Sequence, residues 1–145
     1  MEKLSIQIEN KISEVNRLSL LIEEFGEKNS LPPDVVFDVS LSLDELVTNI
    51  VSYGFPDGEK SKIEVNITLN ETEILVELID YGIEFDPTKI PDADVTLSID
   101  ERRIGGLGIF FVRKKMNEIK YARVNNRNVL TLKKKLIKNG VTDGN

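Results

Sequence analysis

The sequence predicts an α+β fold, a two-layer sandwich in which three helices cover one face of a mixed, mostly antiparallel sheet. The main observation is the order of apolar periodicities, which reads strand, two helices, hairpin, loop, helix, hairpin. Helices grouped against a largely antiparallel sheet give this architecture. The length of 145 residues suffices for one core without disulfide or metal support. We therefore expect a single domain over residues 1–138 and a polar tail over 139–145.

The first half of the chain predicts one strand and two helices. Residues 4–9 alternate strictly between apolar and polar side chains, which is typical of a half-buried strand. Asn10 is placed to cap a helix. The stripe of that helix consists of Ile12, Val15, Leu18, Ile22 and Phe25. A second helix begins at Pro32-Pro33, because proline lacks an amide that would have no partner there. It runs to about Tyr53, before the turn residues 54–58.

Two hairpins and a third helix follow. Residues 62–69 and 73–80 alternate as strands, and Asp80 continues the inward row of the second one. Residues 81–104 lose all periodicity, which in a compact domain indicates a functional or disordered loop. Gly105 to Gly108 open the third helix. Its predicted stripe is Ile109, Val112, Met116 and Ile119. A closing hairpin is expected at 120–126 and 129–136, around a turn at 126–128.

Composition excludes several classes of site. The chain has no cysteine and no histidine, so zinc sites and Ser-His or Cys-His nucleophile pairs are excluded, and a bound metal must be a hard ion such as Mg²⁺. A net charge of −6 argues against direct, non-specific nucleic-acid binding. The basic runs 113–115 and 133–135 are expected to be solvated faces. No membrane-length apolar run or signal peptide is present, so a cytoplasmic protein without membrane attachment is expected.

Three stretches could carry chemistry, and each also has a purely structural interpretation. Glu45 and Asn49 lie one helical turn apart. They are either surface residues or a carboxylate and an amide that together hold a hydrated metal ion. Asp80 and Gly82 could simply end a strand, where glycine would supply a positive φ. Alternatively they form a ligand site, because a buried carboxylate needs hydrogen-bond donors and a ligand could supply one. The glycines of residues 105–108 form a hinge or an anion site at a helix start.

In this order, the three stretches resemble the GHKL (Bergerat-fold) ATPase family, and within it the small anti-sigma-factor serine kinases of the RsbW and SpoIIAB type. Residues 45–49, Glu-Leu-Val-Thr-Asn, are similar to the family's Glu-x-x-x-Asn box. Residues 80–82, Asp-Tyr-Gly, are similar to the start of its Asp-x-Gly-x-Gly box. Residues 105–116, GGLGIFFVRKKM, are close to the glycine-rich run of the subgroup and are the most specific of the three.

The resemblance implies the Bergerat ATP-binding fold, ATP and Mg²⁺ as cofactors, and a role for each matching residue. Asn49 would ligate Mg²⁺, Glu45 would act as the general base, and Asp80 with Gly82 would bind adenine. Phosphate contacts are implied for the glycine-rich start and for an arginine of a lid over residues 86–104. The residues concerned are Gly105, Gly106, Leu107 and Gly108, with Arg103 or its neighbour Arg102.

The resemblance also implies partners. The chain would phosphorylate a serine of a STAS-type anti-anti-sigma protein, would otherwise sequester a sigma factor, and could form a homodimer. With no histidine in the chain, the catalytic domain of a sensor histidine kinase ranks low.

Glu84 departs from the pattern, because the second glycine of the aspartate box is expected there. If it points inward, its charge would repel the phosphates of ATP and favour a non-catalytic nucleotide-binding module that acts by partner capture. If it points to solvent, it would have no effect.

Overall fold

A computed structural model of the protein describes residues 1–89 and 106–136. The described part contains five strands, three α-helices and one turn of 3₁₀ helix at Pro87–Lys89. In chain order the main elements are β1 (Glu2–Glu9), α1 (Glu14–Lys28), α2 (Pro33–Tyr53), β2 (Lys62–Leu69), β3 (Glu73–Asp80), α3 (Gly106–Lys115), β4 (Glu118–Val124) and β5 (Arg127–Lys135). The predicted α+β class is confirmed.

The strands form one sheet in the order β1-β2-β3-β5-β4, and every pairing in it is antiparallel. In the chain, the third helix lies between β3 and the closing hairpin. In the sheet, β5 lies beside β3 and β4 occupies the edge. The register between β3 and β5 places Asp80 directly opposite Asn128. This pairing brings the end of one strand against the start of another that is distant in sequence.

One apolar row from each inner strand and the apolar faces of the helices form a single core. Helix α1 packs against α2, and α2 packs against α3. The apolar row of α2 is fully buried at Leu43 and Val47, as its sequence period predicts. None of the described helices is long and apolar enough to cross a membrane.

The predicted start of the first helix is wrong. Asn10 does not cap it, because its side chain donates to the carbonyl of Glu59 at 2.9 Å and accepts from the amide of Ser61 at 2.9 Å. The helix begins at Glu14, after Ser13. Ile12 therefore lies outside the helix, and 54% of it is exposed. Asn10 instead joins the end of β1 to the start of β2.

The predicted end of the third helix and the predicted hairpin turn are also wrong. Helix α3 ends at Lys115, and Ile119 belongs to β4. The hairpin turns at Asn125 and Asn126, which both have positive φ, at 51° and 63°. Asparagine tolerates this conformation in two-residue hairpin loops. The change moves Asn128 from the expected turn into the buried row of β5.

The basic run 133–135 is only partly a solvated face. Lys134 donates to the carboxylate of Asp38 at 3.1 Å and to the carbonyl of Lys115 at 2.6 Å. Both side chains of this ion pair are more than four-fifths buried. Lys134 thereby ties β5 to the start of α2 and to the carboxyl end of α3, where a cation is favoured.

Two leucines on α1 provide a matched test of the core. Leu18 is fully buried, whereas 62% of Leu20 is exposed. We expect Leu18→Ala to lower the free energy of unfolding by about 2–5 kcal/mol, because it leaves a cavity. Leu20→Ala should change it by no more than about 0.5 kcal/mol. Urea unfolding followed by circular dichroism measures both, and equal losses would show that the two sites are not distinguished by burial.

Candidate functional site

Helix α2 presents Glu45 and Asn49 on the face next to its core stripe. Asn49 is 7% exposed, and within the described part of the chain its amide nitrogen has no hydrogen-bond partner. Leaving a buried polar atom unpaired is costly, so such an atom calls for a ligand or water. Glu45, one turn earlier, is half-buried. The interpretation of both residues as plain surface positions is therefore wrong for Asn49.

Asp80 ends β3 on the inward face of the sheet and is only 3% exposed. Its Oδ1 accepts a hydrogen bond from the side-chain nitrogen of Asn128 at 2.9 Å and one from the amide of Gly82 at 2.9 Å. Burial raises the pKa of this carboxyl, while these two bonds and the charge of Arg123 act in the opposite direction. Among the described residues no donor reaches Oδ2. That oxygen can accept a hydrogen bond from a ligand.

Asn49 and Asp80 line the same cleft between the carboxyl-terminal half of α2 and the ends of β3 and β5. Apolar side chains and a few polar groups form its walls, as is typical of small-molecule sites. The lining residues are Leu46, Asn49, Ile50, Gly54, Asp80, Ile83, Phe85, Pro87, Asn128 and Leu130. The structure thus brings together two of the three stretches that the sequence singled out.

Gly82 is required by close approach and not by its backbone angles. Its φ lies outside the left-handed region, so the expectation of a positive φ is wrong. A Cβ at this position would lie 2.5 Å from the carbonyl oxygen of Gly54 and 3.1 Å from Asp80 Oδ1. The same carbonyl accepts from the amide of Ile83 at 2.9 Å. Gly82 therefore lets the segment after β3 dock on the end of α2.

Glu84 has an exposed side chain. Its φ is also outside the left-handed region, so its backbone conformation does not require glycine. Of the two orientations considered from the sequence, the structure has the one in which the carboxylate faces solvent. The charge of Glu84 is thus kept out of the cleft.

The glycine-rich start of α3 lies against Glu45. Helix α3 begins at Gly106 and includes Leu107, whereas Arg102, Arg103, Gly105 and most of the expected lid lie outside the described residues. A Cβ on Gly108 would collide with Oε2 of Glu45 and lie 3.0 Å from its Cδ. The amino-terminal turn of α3 carries partial positive charge, which favours an anion beside it. Glu45 and the predicted phosphate-binding turn are therefore neighbours.

Asn128 is the site residue that the sequence interpretation missed. It is 3% exposed and lines the cleft. Its side-chain nitrogen donates to Asp80 and also to the carbonyl of Ile83 at 2.8 Å. The signal that could have found it is Asn125-Asn126, because asparagine tolerates the positive φ that both positions of a two-residue hairpin turn require. With the turn placed there, the strand period puts Asn128 on the inward face.

The described residues provide oxygen ligands for a cation but no complete cage. Among residues 1–89 and 106–136, no three acidic, cysteine or histidine side chains are grouped as a metal site. Mg²⁺ is commonly held by one or two protein oxygens together with phosphate oxygens and water. The side-chain oxygen of Asn49, at the wall of the cleft, fits the protein part of such a set.

Known proteins resemble the chain over most of its length. Residues 8–134 match the histidine kinase-like ATPase domain family. The chain is 31% identical over 96 residues to the serine/threonine-protein kinase BtrW of Bordetella bronchiseptica, covering 66% of this chain and 68% of that protein. It is 26% identical over 123 residues to the serine-protein kinase RsbW of Listeria monocytogenes, covering 82% and 78%.

A solved structure has the same fold. The crystal structure of RsbU and RsbW domains from Mycobacterium tuberculosis superposes with a TM-score of 0.67 at 16% sequence identity. The match covers 98% of this chain and 35% of that longer chain. At this identity the likeness concerns the fold alone.

Alanine substitutions at Gly82 and Gly108 test whether each glycine is required by a neighbouring backbone atom or only lies next to a side chain that can move. Gly82→Ala places a Cβ against backbone, which cannot rotate away, so we expect a loss of about 1–3 kcal/mol in the free energy of unfolding. Gly108→Ala meets the flexible end of Glu45 and gains helix propensity of up to about 1 kcal/mol. Its stability should therefore be unchanged or higher. Unfolding with guanidinium chloride measures the free energy of unfolding of both variants. A Gly108→Ala variant as unstable as Gly82→Ala would contradict this account.

Asp80→Asn should stabilise the protein at neutral pH. Because burial raises the pKa of Asp80 above its unfolded value of 3.8, the stability linked to this group is greatest below that value. It is lost as the pH rises through the raised pKa. The amide keeps an acceptor oxygen and removes the buried charge, so at pH 7 the melting temperature should rise by a few degrees.

The difference in melting temperature between Asp80→Asn and wild type should narrow as the pH falls through the raised pKa of Asp80, and should be smallest below about 4, close to the unfolded pKa. Exposed Asp57 provides the matched control, Asp57→Asn, for which no such trend is expected. Calorimetric scans from pH 3 to 8 make the comparison, and a lower melting temperature for Asp80→Asn at pH 7 would rule out burial as the dominant effect.

Proposed function

Because this chain belongs to the histidine kinase-like ATPase domain family, we propose that it is an ATP-dependent serine kinase that acts as an anti-sigma factor. The curated relatives named as serine or serine/threonine kinases support this activity. The observation that carries the proposal is the cleft in which Asn49, with its unpaired buried amide, faces the same space as Asp80. We also propose that residues 1–138 form the kinase domain and 139–145 a tail.

In this proposal the cleft binds the nucleotide through its base and its phosphates. Asp80 accepts a hydrogen bond from the adenine amino group, and Gly82 allows the backbone to approach the ring. Asn49 holds Mg²⁺ through its amide oxygen, and the ion neutralises charge on the phosphates when bound. The phosphate contacts come from the start of α3 and from a lid arginine. They are assigned to Gly105, Gly106, Leu107, Gly108 and Arg103, with Arg102 as the alternative arginine.

Glu45 is proposed as the general base. It would take the proton of the attacking serine hydroxyl while the serine oxygen bonds to the γ-phosphorus and ADP leaves with the electrons of the broken P–O bond. Its contact with Gly108 supports this assignment, because it places a carboxylate beside the turn proposed to hold the phosphates. The exposure of Glu84 supports catalysis over a module without activity, since its charge lies outside the cleft.

The proposed protein substrate is a STAS-type anti-anti-sigma protein in the cytoplasm. In the absence of that substrate the chain would sequester a sigma factor, and it could do so as a homodimer. The name of the Listeria relative, a serine-protein kinase RsbW, supports this class of partner.

Glu45→Gln tests the proposal directly. Loss of the base should lower phosphoserine formation on the partner by at least about 100-fold, whereas calorimetry should show Mg-ATP affinity within about threefold of wild type. Glu71→Gln is the matched control, because Glu71 is exposed in the β2–β3 connection at the far end of β3. It should transfer phosphate normally.

Two outcomes would contradict the assignment. Equal transfer by Glu45→Gln and wild type would remove Glu45 as the base. Mg-ATP binding by wild type without transfer to any STAS-type protein of the host would leave a nucleotide-binding module that works by partner capture.

A further inference from the structure

The Asp80 side of the cleft is held by three residues of the closing hairpin, Tyr121, Arg123 and Asn128, called here the β4–β5 network. None of the three belongs to a stretch that pointed to nucleotide binding. Tyr121 and Arg123 lie on β4 and Asn128 on β5, and Arg123 pairs with Asn128 in the register of the hairpin. All three side chains are buried or half-buried.

Asn128 uses both ends of its amide. Its nitrogen donates to Asp80 and to the carbonyl of Ile83, so both of its hydrogens are engaged. Its oxygen accepts from the Tyr121 hydroxyl at 2.5 Å, from Arg123 Nη1 at 3.2 Å and, at 3.3 Å, from the amide of Phe85. A side chain with no spare hydrogen positions its neighbours and has little capacity left to donate to a ligand.

Arg123 extends this hold to the backbone after Asp80. Its Nη1 donates to the carbonyl of Gly82 at 2.8 Å as well as to Asn128. The guanidinium presents a rigid fork of donors, so it can fix a carbonyl and an amide oxygen relative to each other. On the other side of the segment, the amide of Ile83 is bonded to Gly54 at the end of α2.

Segment 82–85 therefore has two anchors and no regular structure of its own. One anchor is the end of α2, and the other is the β4–β5 network. Within this segment Glu84 occupies a position where the resemblance leads one to expect glycine, and its backbone does not use a glycine conformation. Hydrogen bonds to the hairpin and to the end of α2 set the shape of the segment.

We propose that Tyr121, Arg123 and Asn128 are positioning residues of the nucleotide site, which fix the Asp80 carboxylate and the backbone of residues 82–85 in the geometry that receives the base. The inference rests on the proposed function for its consequence in binding. The network itself holds Oδ1 of Asp80 and leaves Oδ2 toward the ligand. Loss of Tyr121 or Arg123 should weaken base recognition without removing a residue that lines the cleft.

Arg123→Met is the principal variant, because methionine keeps the apolar stem and removes the donors and the charge. Arg127→Met is the matched control on the same hairpin, since among the described residues the side chain of Arg127 donates a hydrogen bond only to the carbonyl of Val124, at 3.4 Å. Calorimetry with Mg-ATP should show affinity about 10–100-fold lower for Arg123→Met and within about twofold of wild type for Arg127→Met. Arg123→Lys, with charge and one donor group restored, should recover part of the loss.

The pH profile of binding distinguishes positioning from a general loss of stability. The ionised form of Asp80 is the one that accepts from the base at Oδ2. The charged side chain that acts on the Asp80 carboxylate is Arg123 on β4. The residues that face Asp80 from the other elements carry no charge; they are Asn49 on α2, Ile63 on β2 and Asn128 on β5.

Without Arg123, the pKa of Asp80 loses one of the influences that lower it, so ATP affinity should begin to fall at a higher pH than in wild type as the solution is acidified. Tyr121→Phe, which removes one bond and no charge, should lower affinity less and leave the acid limb near its wild-type position. It also serves as the second network variant if Arg123→Met fails to fold.

Amide hydrogen exchange of the nucleotide-free protein tests the network separately from the proposed function. The amides of Gly82, Ile83 and Phe85 should exchange faster in Arg123→Met than in Arg127→Met, with exchange in β1 and β2 unchanged. Equal exchange in the two variants, or equal ATP affinity and pH profile, overturns the positioning role. A third outcome is that wild type gives no heat with Mg-ATP while amide exchange still differs between Arg123→Met and Arg127→Met. In that case the proposed function fails, and so does the role of the network in nucleotide binding. The anchoring of segment 82–85 by the network would still stand.

Discussion

The buried carboxylate of Asp80 is the constraint on which the rest of the site depends. A carboxylate removed from water is unfavourable unless hydrogen bonds replace its hydration, and this one is 3% exposed in the inward row of a central strand. The fold supplies donors from two directions, the amide of Gly82 just after β3 and the side chain of Asn128 across the β3–β5 pairing. Because both bonds end on one oxygen, the other oxygen keeps its capacity for a ligand.

Helix α2 links this carboxylate to the proposed phosphate end. Its apolar stripe is buried by the sheet and by the other helices, which fixes the rotation of the helix and hence the direction of the adjacent face. That face carries Asn49 toward the cleft and Glu45 toward the start of α3. One rigid element therefore fixes Asn49 and Glu45 relative to each other, and sites on such elements are held more accurately than sites on loops.

Local patterns predicted most of the elements, because burial on one face imposes a period that survives in the sequence. Strands β2 and β3 and helix α2 agree with their predicted bounds to within a residue, and the inward position of Asp80 followed from its register with three aliphatic residues. The errors arose where a contact distant in sequence decided the outcome. Asn10 bonds to the start of β2 and not to the nearby helix.

Ile119 continues a helical spacing by coincidence, because the chain leaves the helix after Lys115 to begin β4. A turn placed at Asn125-Asn126 would have put Asn128 on the inward face of β5, but its position opposite Asp80 also depends on the pairing of β3 with β5, which the sequence period of either strand leaves open. Gly82 was assigned to a site for a valid reason, close backbone approach. The surface that approaches it in the structure is the carbonyl of Gly54 at the end of α2.

The contrast between Gly82 and Glu84 shows how one site can keep a glycine and dispense with another. At Gly82 any side chain would collide with backbone on one side and with Asp80 on the other, so the position is fixed by volume. At Glu84 the side chain is exposed and the backbone conformation is accessible to any residue. The next amide, that of Phe85, is held by Asn128. When hydrogen bonds from a neighbouring hairpin determine the path of a segment, the conformational freedom of glycine is no longer needed there, and the residue that replaces it can carry a charge provided that the charge stays in water.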